Sequence, residues 1–500
     1  MRTIQKVVWH FEPFSFVMVM GTGIASDILY SFPYPAHWLR ICSYIFFAIA
    51  CLLFIFLQLF ACIHMFWYAN RYSWHRYFNH YYRNLMHNVF WGTYPMGLVT
   101  IINYLTNLTE TSSIISENNS KRLMIFIYIL WWYDITISML TAWGISFLIW
   151  QDYYYTEDWA NKYPVGTDRQ KIATQNLKST LLMNVIPLVV GTASGAYFTM
   201  TNIFTITFNR NIQLLTMVIC FLLWLHAILF VGILVTLFFW NLYVNKLPKM
   251  QQVFTMFLVL GPLGQGAFGI LLMTNNIKIY VENYYPAIES INAPKGSETA
   301  LLTLFIPWCF KIFGLLTSLA LLGMGYFFTI ITFVAIISYL PVKEESNSKT
   351  NKKITILTFH KGFWAMTFPM GTMALGTKEV WVQYGKYVPL SAFRVVSTIY
   401  STLCVVWVIV CLAGSIYIKC VPYLRHQLNK QQSMDQQAVV GDEESLTKDE
   451  DDGHLDSANG EYNHNQHNNA DDDDDASAVT LGIRESDSVI ELATMTTRAQ

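Results

Sequence analysis

Ten apolar runs separated by short polar segments occupy residues 14 to 419. The pattern predicts helices at about 14–31, 42–66, 88–106, 123–150, 180–198, 213–242, 253–274, 301–340, 362–377 and 388–419. Roughly 20 apolar residues cross the hydrocarbon of a bilayer. The run 301–340 must therefore bend or project into solvent, and 362–377 is short enough to be a discontinuous element. By this pattern the chain is an all-α polytopic membrane protein.

Several runs carry one phrase. Phe90-Trp91-Gly92-Thr93-Tyr94-Pro95-Met96-Gly97 returns as Phe363-Trp364-Ala365-Met366-Thr367-Phe368-Pro369-Met370-Gly371. Related punctuation stands at Met20-Gly21-Thr22-Gly23, at Ile186-Pro187 with Gly191, and at Gly261-Pro262-Leu263-Gly264. Proline removes a backbone donor and crowds the preceding turn, while glycine admits a neighbouring backbone. In lipid, such interruptions are tolerated only where protein or a cavity satisfies the freed groups. Pairing the helices in order gives five helical hairpins, each with a kinked first member. This predicts a central pore walled by the odd-numbered helices, with their partners as an outer ring.

Charge sets the expected orientation. With the N-terminus inside, the inner segments hold 19 basic residues and the outer loops nine, so the positive-inside rule places both termini in the cytosol. Two sequons, at Asn107 and Asn118, fall in one outer loop and are candidate glycosylation sites. The first run has no convincing cleavage site and reads as a spanning helix. Residues 431–500 carry 18 of the 33 acids and three basic residues, leaving a net +14 on the rest of the chain. The expected organisation is a cytosolic N-terminus (1–13), a transport domain (14–419) and a cytosolic tail (420–500) that is acidic and disordered from about 431. Mean hydropathy of +0.34, with 54% hydrophobic residues, excludes an ordinary soluble fold. The eight cysteines show no ligand spacing and read as packing thiols.

The predicted walls hold almost no acid: Asp27 ends the first span and Glu12 precedes it. They offer instead Thr22, Thr93, Asn184, Thr192, Gln265, Thr367 and Thr372, beside Gly21, Gly97, Gly264 and Gly371. Hydroxyl and amide donors near helix ends suit an oxyanion; a cation path or proton relay would call for rings of carboxylates. Lys361 before the ninth span, and Lys311 and Arg394 near the outer ends of the eighth and tenth, read either as vestibule charges or as anchors reaching the headgroups. Asp134, within the fourth span, is a pathway acid or a structural hydrogen-bond partner. His226 is a proton carrier or a packing residue. No GxxxxGK[ST] phosphate loop occurs, and no HExxH or paired aspartates stand together, so neither ATP coupling nor an enzyme is expected.

These phrases, with stretches at 14–24, 31–35, 90–101, 131–150, 209–214, 307–311 and 358–373, resemble the tellurite-resistance/dicarboxylate transporter family. It includes bacterial tellurite-resistance proteins, fungal malate permeases and plant slow anion channels. The resemblance runs from about residue 10 to 420 and is narrowest toward the branch that exports sulfite from yeasts. It implies efflux of sulfite or bisulfite across the plasma membrane, conferring sulfite tolerance, with no cofactor or metal. The implied partners are this small oxyanion and the lipid bilayer, not nucleic acid. Relatives form trimers, which makes a homo-oligomer compatible with the resemblance. A Phe in the ninth helix plugs the pore in relatives of the plant channel, so the resemblance implies that Phe368 is a gate. On residue type alone it is one of 34 packing phenylalanines. Tyr94 holds the matching place in the third helix and is expected at the same constriction. A malate transporter or another anion channel of the family stays open as the alternative.

Overall fold

The computed structural model describes residues 11–110, 116–155, 179–285, 298–342, 344–345 and 353–446. The acidic tail beyond 446 and the basic loop around 162–178 lie outside them. Contacts divide the chain into Met1–Leu424 and Arg425–Gln500. The first unit carries the apolar helices, and the second is described only as helix, to Leu446.

The helices that matter are α1 (Val17–Tyr30), α2 (His37–Arg71), α3 (Thr93–Thr109), α4 (Glu117–Met139), α5 (Ile186–Thr199), α6 (Arg210–Asn245), α7 (Leu260–Tyr284), α8 (Glu298–Tyr339), α9 (Thr367–Tyr384) and α10 (Ser391–Leu446). The fourth continues through a π-turn, Leu140–Ile145, into Ser146–Tyr155. A two-stranded antiparallel pair, Glu344–Glu345 with Lys353–Ile354, interrupts the α8–α9 connection.

Every odd-numbered helix begins the same way. A 3-10 segment leads into it: Pro13–Phe16, Val89–Gly92, Ser179–Asn184, Met250–Val259 and Lys361–Met366. The expected mid-helix kinks are therefore changes of helical winding. Pro95, Pro187, Pro262 and Pro369 sit in the first turn of the α-helical part, where a missing N–H costs least.

Seven helices among the described residues are long and apolar enough to cross a membrane, and Ile186–Thr199 is a shorter apolar one. The protein is thus all-helical and multi-span apart from the small strand pair, but this measure does not reach the ten spans expected from sequence. The shortfall falls on α3, α5 and α9. Of these, α3 carries Asn103 and Asn107, and α9 carries Lys378, Glu379 and Gln383, all buried or half-buried within the protein. A helix facing other protein need not be apolar all round.

Burial separates two classes. The segment Met250–Tyr284 is 100% buried over its most apolar stretch, whereas His37–Arg71 is 6% buried. Along α2, α6, α8 and α10, rows of Leu, Ile, Phe and Val are exposed, as lipid-facing surfaces require. The odd-numbered helices pack in a closed circuit: α1 on α3, α3 on α5, α5 on α7, α7 on α9, and α9 back on α1. Each also carries its sequence neighbour outside: α2 on α1, α4 on α3, α6 on α5 and α8 on α7. The α10–α9 pair is held by Ser397 Oγ donating to Ala374 O at 2.9 Å and Trp407 Nε1 donating to Phe363 O at 2.9 Å.

Candidate functional site

Close approach inside the circuit depends on glycine. A Cβ on Gly264 would lie 2.6 Å from Met373 N and Thr372 C, so α7 and α9 touch backbone to backbone there. A Cβ on Gly23 would overlap Thr100 of α3. Gly21 packs on Trp364, Gly97 on Val19 and Gly371 on Ile24. The glycines read as pore lining therefore seal one inner helix to the next.

The hydroxyls are likewise engaged. Thr22, Thr93, Thr192, Thr367 and Thr372 each donate to a carbonyl three or four residues back, at 2.7 to 3.1 Å. A threonine buried in a helix commonly takes this nearest acceptor. Their protons are committed, and these groups are left to accept rather than donate. Asn184 and Gln265 differ: both are buried, and their carboxamide oxygens have no hydrogen-bond partner among the described residues.

One cavity of about 50 Å³ is lined by Asp27 and Ser31 from α1 and its end, Asn103 and Asn107 from α3, Tyr197 from α5, Phe268 from α7, and Leu375, Lys378 and Glu379 from α9. All five odd-numbered helices contribute to it. That volume holds a few water-sized groups. Ser194 Oγ donates to Asn103 Oδ1 at 2.6 Å, and Tyr197 OH donates to Asn107 Oδ1. Sequence reasoning missed Lys378 and Glu379 here, and the signal was their i, i+1 place directly after a run that reads as ended at 377.

Helical register carries the same helix faces two turns toward their N-terminal ends. Seven residues are close to two turns, about 10 Å along a helix, and return to nearly the same face. Seven residues before Asp27, Asn103, Tyr197, Phe268 and Leu375 stand Met20, Met96, Val190, Gly261 and Phe368. The four with side chains are each at most 2% exposed. Tyr94 is not in this set. Its OH pairs with Tyr133 OH of α4 at 2.9 Å, and its ring packs edge-on to Phe16 and against Phe54 of α2. The expectation that Tyr94 shares a constriction with Phe368 is corrected: residue 94 faces the outer helices. Tyr94→Phe will cost about 1 kcal/mol of stability, the worth of one hydrogen bond, and leave anion flux unchanged. Thermal unfolding and vesicle flux check both.

Other expected site residues have structural partners. Lys361 Nζ forms an ion pair with Glu12 at 2.7 Å, tying the start of the chain to the ninth segment rather than standing as a free vestibule charge. Beside it, burial pushes the His87 imidazole below its usual value and His80 adds to this, so His87 is neutral near pH 7. Arg394 donates twice to Pro33 O, at 2.9 and 3.2 Å, with its guanidinium over Tyr34 and Trp381. Lys311 is buried, donates to Asn275 Oδ1 at 3.2 Å and lies over the Tyr384 ring. Asp134 is buried on α4 facing Gly191 of α5, outside the circuit. His226 is exposed on α6 and accepts from Trp143 Nε1 at 2.9 Å, which removes it from the axis.

The two sequons also separate. Asn118 is exposed at the start of α4, whereas Asn107 is 8% exposed and bonded to Tyr197. The folded site leaves no room for a glycan on this amide, so Asn107 is corrected from acceptor to cavity wall. Any N-glycan in this region resides on Asn118. Asn118→Gln will remove the gel shift seen on deglycosylation, and Asn107→Gln will not.

The sequence matches the model of the voltage-dependent anion channel family over residues 10–416. It is 56% identical over 407 residues to the sulfite efflux pump of Saccharomyces cerevisiae, covering 81% of this chain and 87% of that one. Identity to the sulfite efflux pump of Candida albicans is 30% over 416 residues, 82% of this chain and 74% of that one. A sulfite efflux pump of Arthroderma otae is 23% identical over 416 residues, 82% and 91% of the two chains.

Proposed function

Because the chain belongs to the voltage-dependent anion channel family, we propose that it exports sulfite or bisulfite across the plasma membrane along the axis of its odd-numbered helices. The observation that carries this reading is a cavity to which all five contribute. The proposed architecture is ten spans in five hairpins, α1 with α2 through α9 with α10, around that axis. The excess of basic residues on alternate loops supports cytosolic termini, which puts the 3-10 segments on the inner side and the cavity toward the outside. Residues 14–419 form the transport domain and 420–500 a cytosolic tail.

Phe368 is the proposed gate. It stands seven residues, about two turns, before the cavity-lining Leu375 of α9, and it is read as level with Met20, Met96, Val190 and Gly261, which supports a constriction there. A ring beside Pro369 in an apolar constriction can close a path to a hydrated anion by size and by dewetting. Gln265, one turn from Phe268, offers an amide along the same path. An interior negative by 100 mV favours outward movement of a monovalent anion by about 2.3 kcal/mol, enough to drive export without a phosphate-loop motor.

Similarity favours sulfite over the dicarboxylate alternative, since the sulfite efflux pump of Saccharomyces cerevisiae is 56% identical over 407 residues. The test is flux from liposomes holding the purified protein, with sulfite and malate compared at clamped pH and potential. Sulfite efflux well above malate efflux is expected, and a cell lacking the protein will accumulate and be poisoned by added sulfite. Malate flux equal to or above sulfite flux would overturn the assignment.

A further inference from the structure

The shared cavity holds an unusual set of charges for an anion path. Asp27 and Glu379 are 5% and 9% exposed, and Lys378 is half-buried beside them. Lys378 makes no ion pair among the described residues. Glu379 Oε1 accepts from Gln383 Nε2 at 2.8 Å. Asp27 Oδ1 is buried with no hydrogen-bond partner among the described residues. An orphaned acceptor and an unpaired ammonium on one small cavity together call for a ligand that has both an anionic oxygen and a proton to give.

Charge counting sharpens this. With both carboxylates ionised and Lys378 protonated, the cavity's own groups sum to −1. A dianion would bring the total to −3 in a low-dielectric space, while a monoanion brings it to −2 and supplies an O–H for Asp27. A proton on Asp27 and a dianion in the site have the same composition as ionised Asp27 with a protonated monoanion. In both cases one O–H···O bond joins the carboxyl to the oxyanion. We propose that this cavity is a binding site for an oxyanion together with one proton, with Lys378 as counter-ion, Asp27 as hydrogen-bonding partner, and Asp27 and Glu379 jointly rejecting the unprotonated dianion. This rests on the reading of the chain as a sulfite exporter and names the species it carries.

Several ionisable groups from the packed helices surround the cavity. Facing Asp27 are Tyr30 on its own helix, Tyr104 on α3, Tyr197 on α5, and Lys378 and Glu379 on α9. Arg40 of α2 lies over the Tyr30 ring at 4.7 Å, and Tyr104 OH is bonded to Ser43 of α2 at 2.8 Å. Glu110, just past α3, also acts on Tyr197, and burial pushes its carboxyl above the usual range.

The test uses the full chain in liposomes loaded with sulfite, with equal pH on both sides stepped from about 6 to 8, and lumenal pH recorded alongside efflux. For the unaltered protein, KM in total sulfite will rise by about tenfold per pH unit above the second ionisation of sulfurous acid, as the protonated fraction falls. One proton will leave with each sulfite. Lys378→Gln will raise KM about tenfold with a smaller change in kcat, as expected for a lost charged contact. Asp27→Asn keeps the shape but relaxes rejection of the dianion, so KM will flatten with pH and the proton-to-sulfite ratio will fall below one at the alkaline end. Glu379→Gln will do the same, and serves if Asp27→Asn does not fold. A KM independent of pH in the unaltered protein, or full pH dependence in both carboxamide variants, overturns the proposal. Absence of sulfite flux at every pH would instead overturn the function on which it rests.

Discussion

Gly264→Ala will abolish sulfite export and lower the melting temperature of the purified protein by several degrees. The added methyl would stand 2.6 Å from Met373 N and Thr372 C. Those atoms belong to the α9 backbone and cannot rotate aside like a side-chain tip, so α7 and α9 must part. Overpacking of this kind costs about 1–3 kcal/mol in a well-packed interior, and here it also opens the circuit that closes the conduit. Gly232→Ala is the matched control: it lies on α6 with nothing within 4 Å of the new methyl, and alanine is the better helix former by about 1 kcal/mol. Thermal unfolding followed by tryptophan fluorescence, with efflux on the same preparation, separates the two. Normal melting and efflux in Gly264→Ala would mean that the helices are not held at that contact.

Phe368→Ala is expected to do the opposite to conductance. Loss of a buried ring costs about 3–5 kcal/mol where the space stays empty, so the variant will melt earlier. If residue 368 blocks the path, the same deletion leaves an opening two turns inward of Leu375, and anion leak will rise severalfold while directed export persists. The combination is diagnostic, because a residue that only packs would lose stability and export together. Leak is read as chloride or sulfite flux in liposomes at zero imposed gradient of the other ion. Reduced flux in a folded Phe368→Ala protein would remove the gate from this position.

The outer helices were largely legible from sequence. The expected 42–66 and 213–242 lie inside His37–Arg71 and Arg210–Asn245, because a lipid-facing helix must be apolar over its whole exposed side. Pro-Gly phrases marked the inner helices correctly, although their meaning changed: Pro95, Pro187, Pro262 and Pro369 open the α-helical part after a 3-10 lead. What sequence concealed was direction. The ninth run reads as stopping at 377 because Lys378 and Glu379 end its apolar character, yet α9 continues to Tyr384 since those groups face a cavity and not hydrocarbon. Tyr94 occupies the place in the repeated phrase that Phe368 holds in α9, yet its hydroxyl and ring meet α4 and α2, and residue type carries no sign of that. Asn107 satisfied a sequon in letters and is a buried wall in space. The threonines, chosen as donors by their chemistry, spend their protons on their own helices, which only the geometry of the preceding turn decides.

The central claim, that five inner helices wall one conduit, is tested most directly by single cysteines placed at Ser31, Asn103, Tyr197, Phe268 and Leu375 in a background stripped of the eight native cysteines. Each would be probed with an anionic, membrane-impermeant thiol reagent. The account predicts modification from the outer side at all five, block of sulfite efflux in each case, and protection by sulfite, with no block at a lipid-facing cysteine placed at Leu229. Modification that leaves efflux untouched, or block confined to one or two of the five helices, would contradict it.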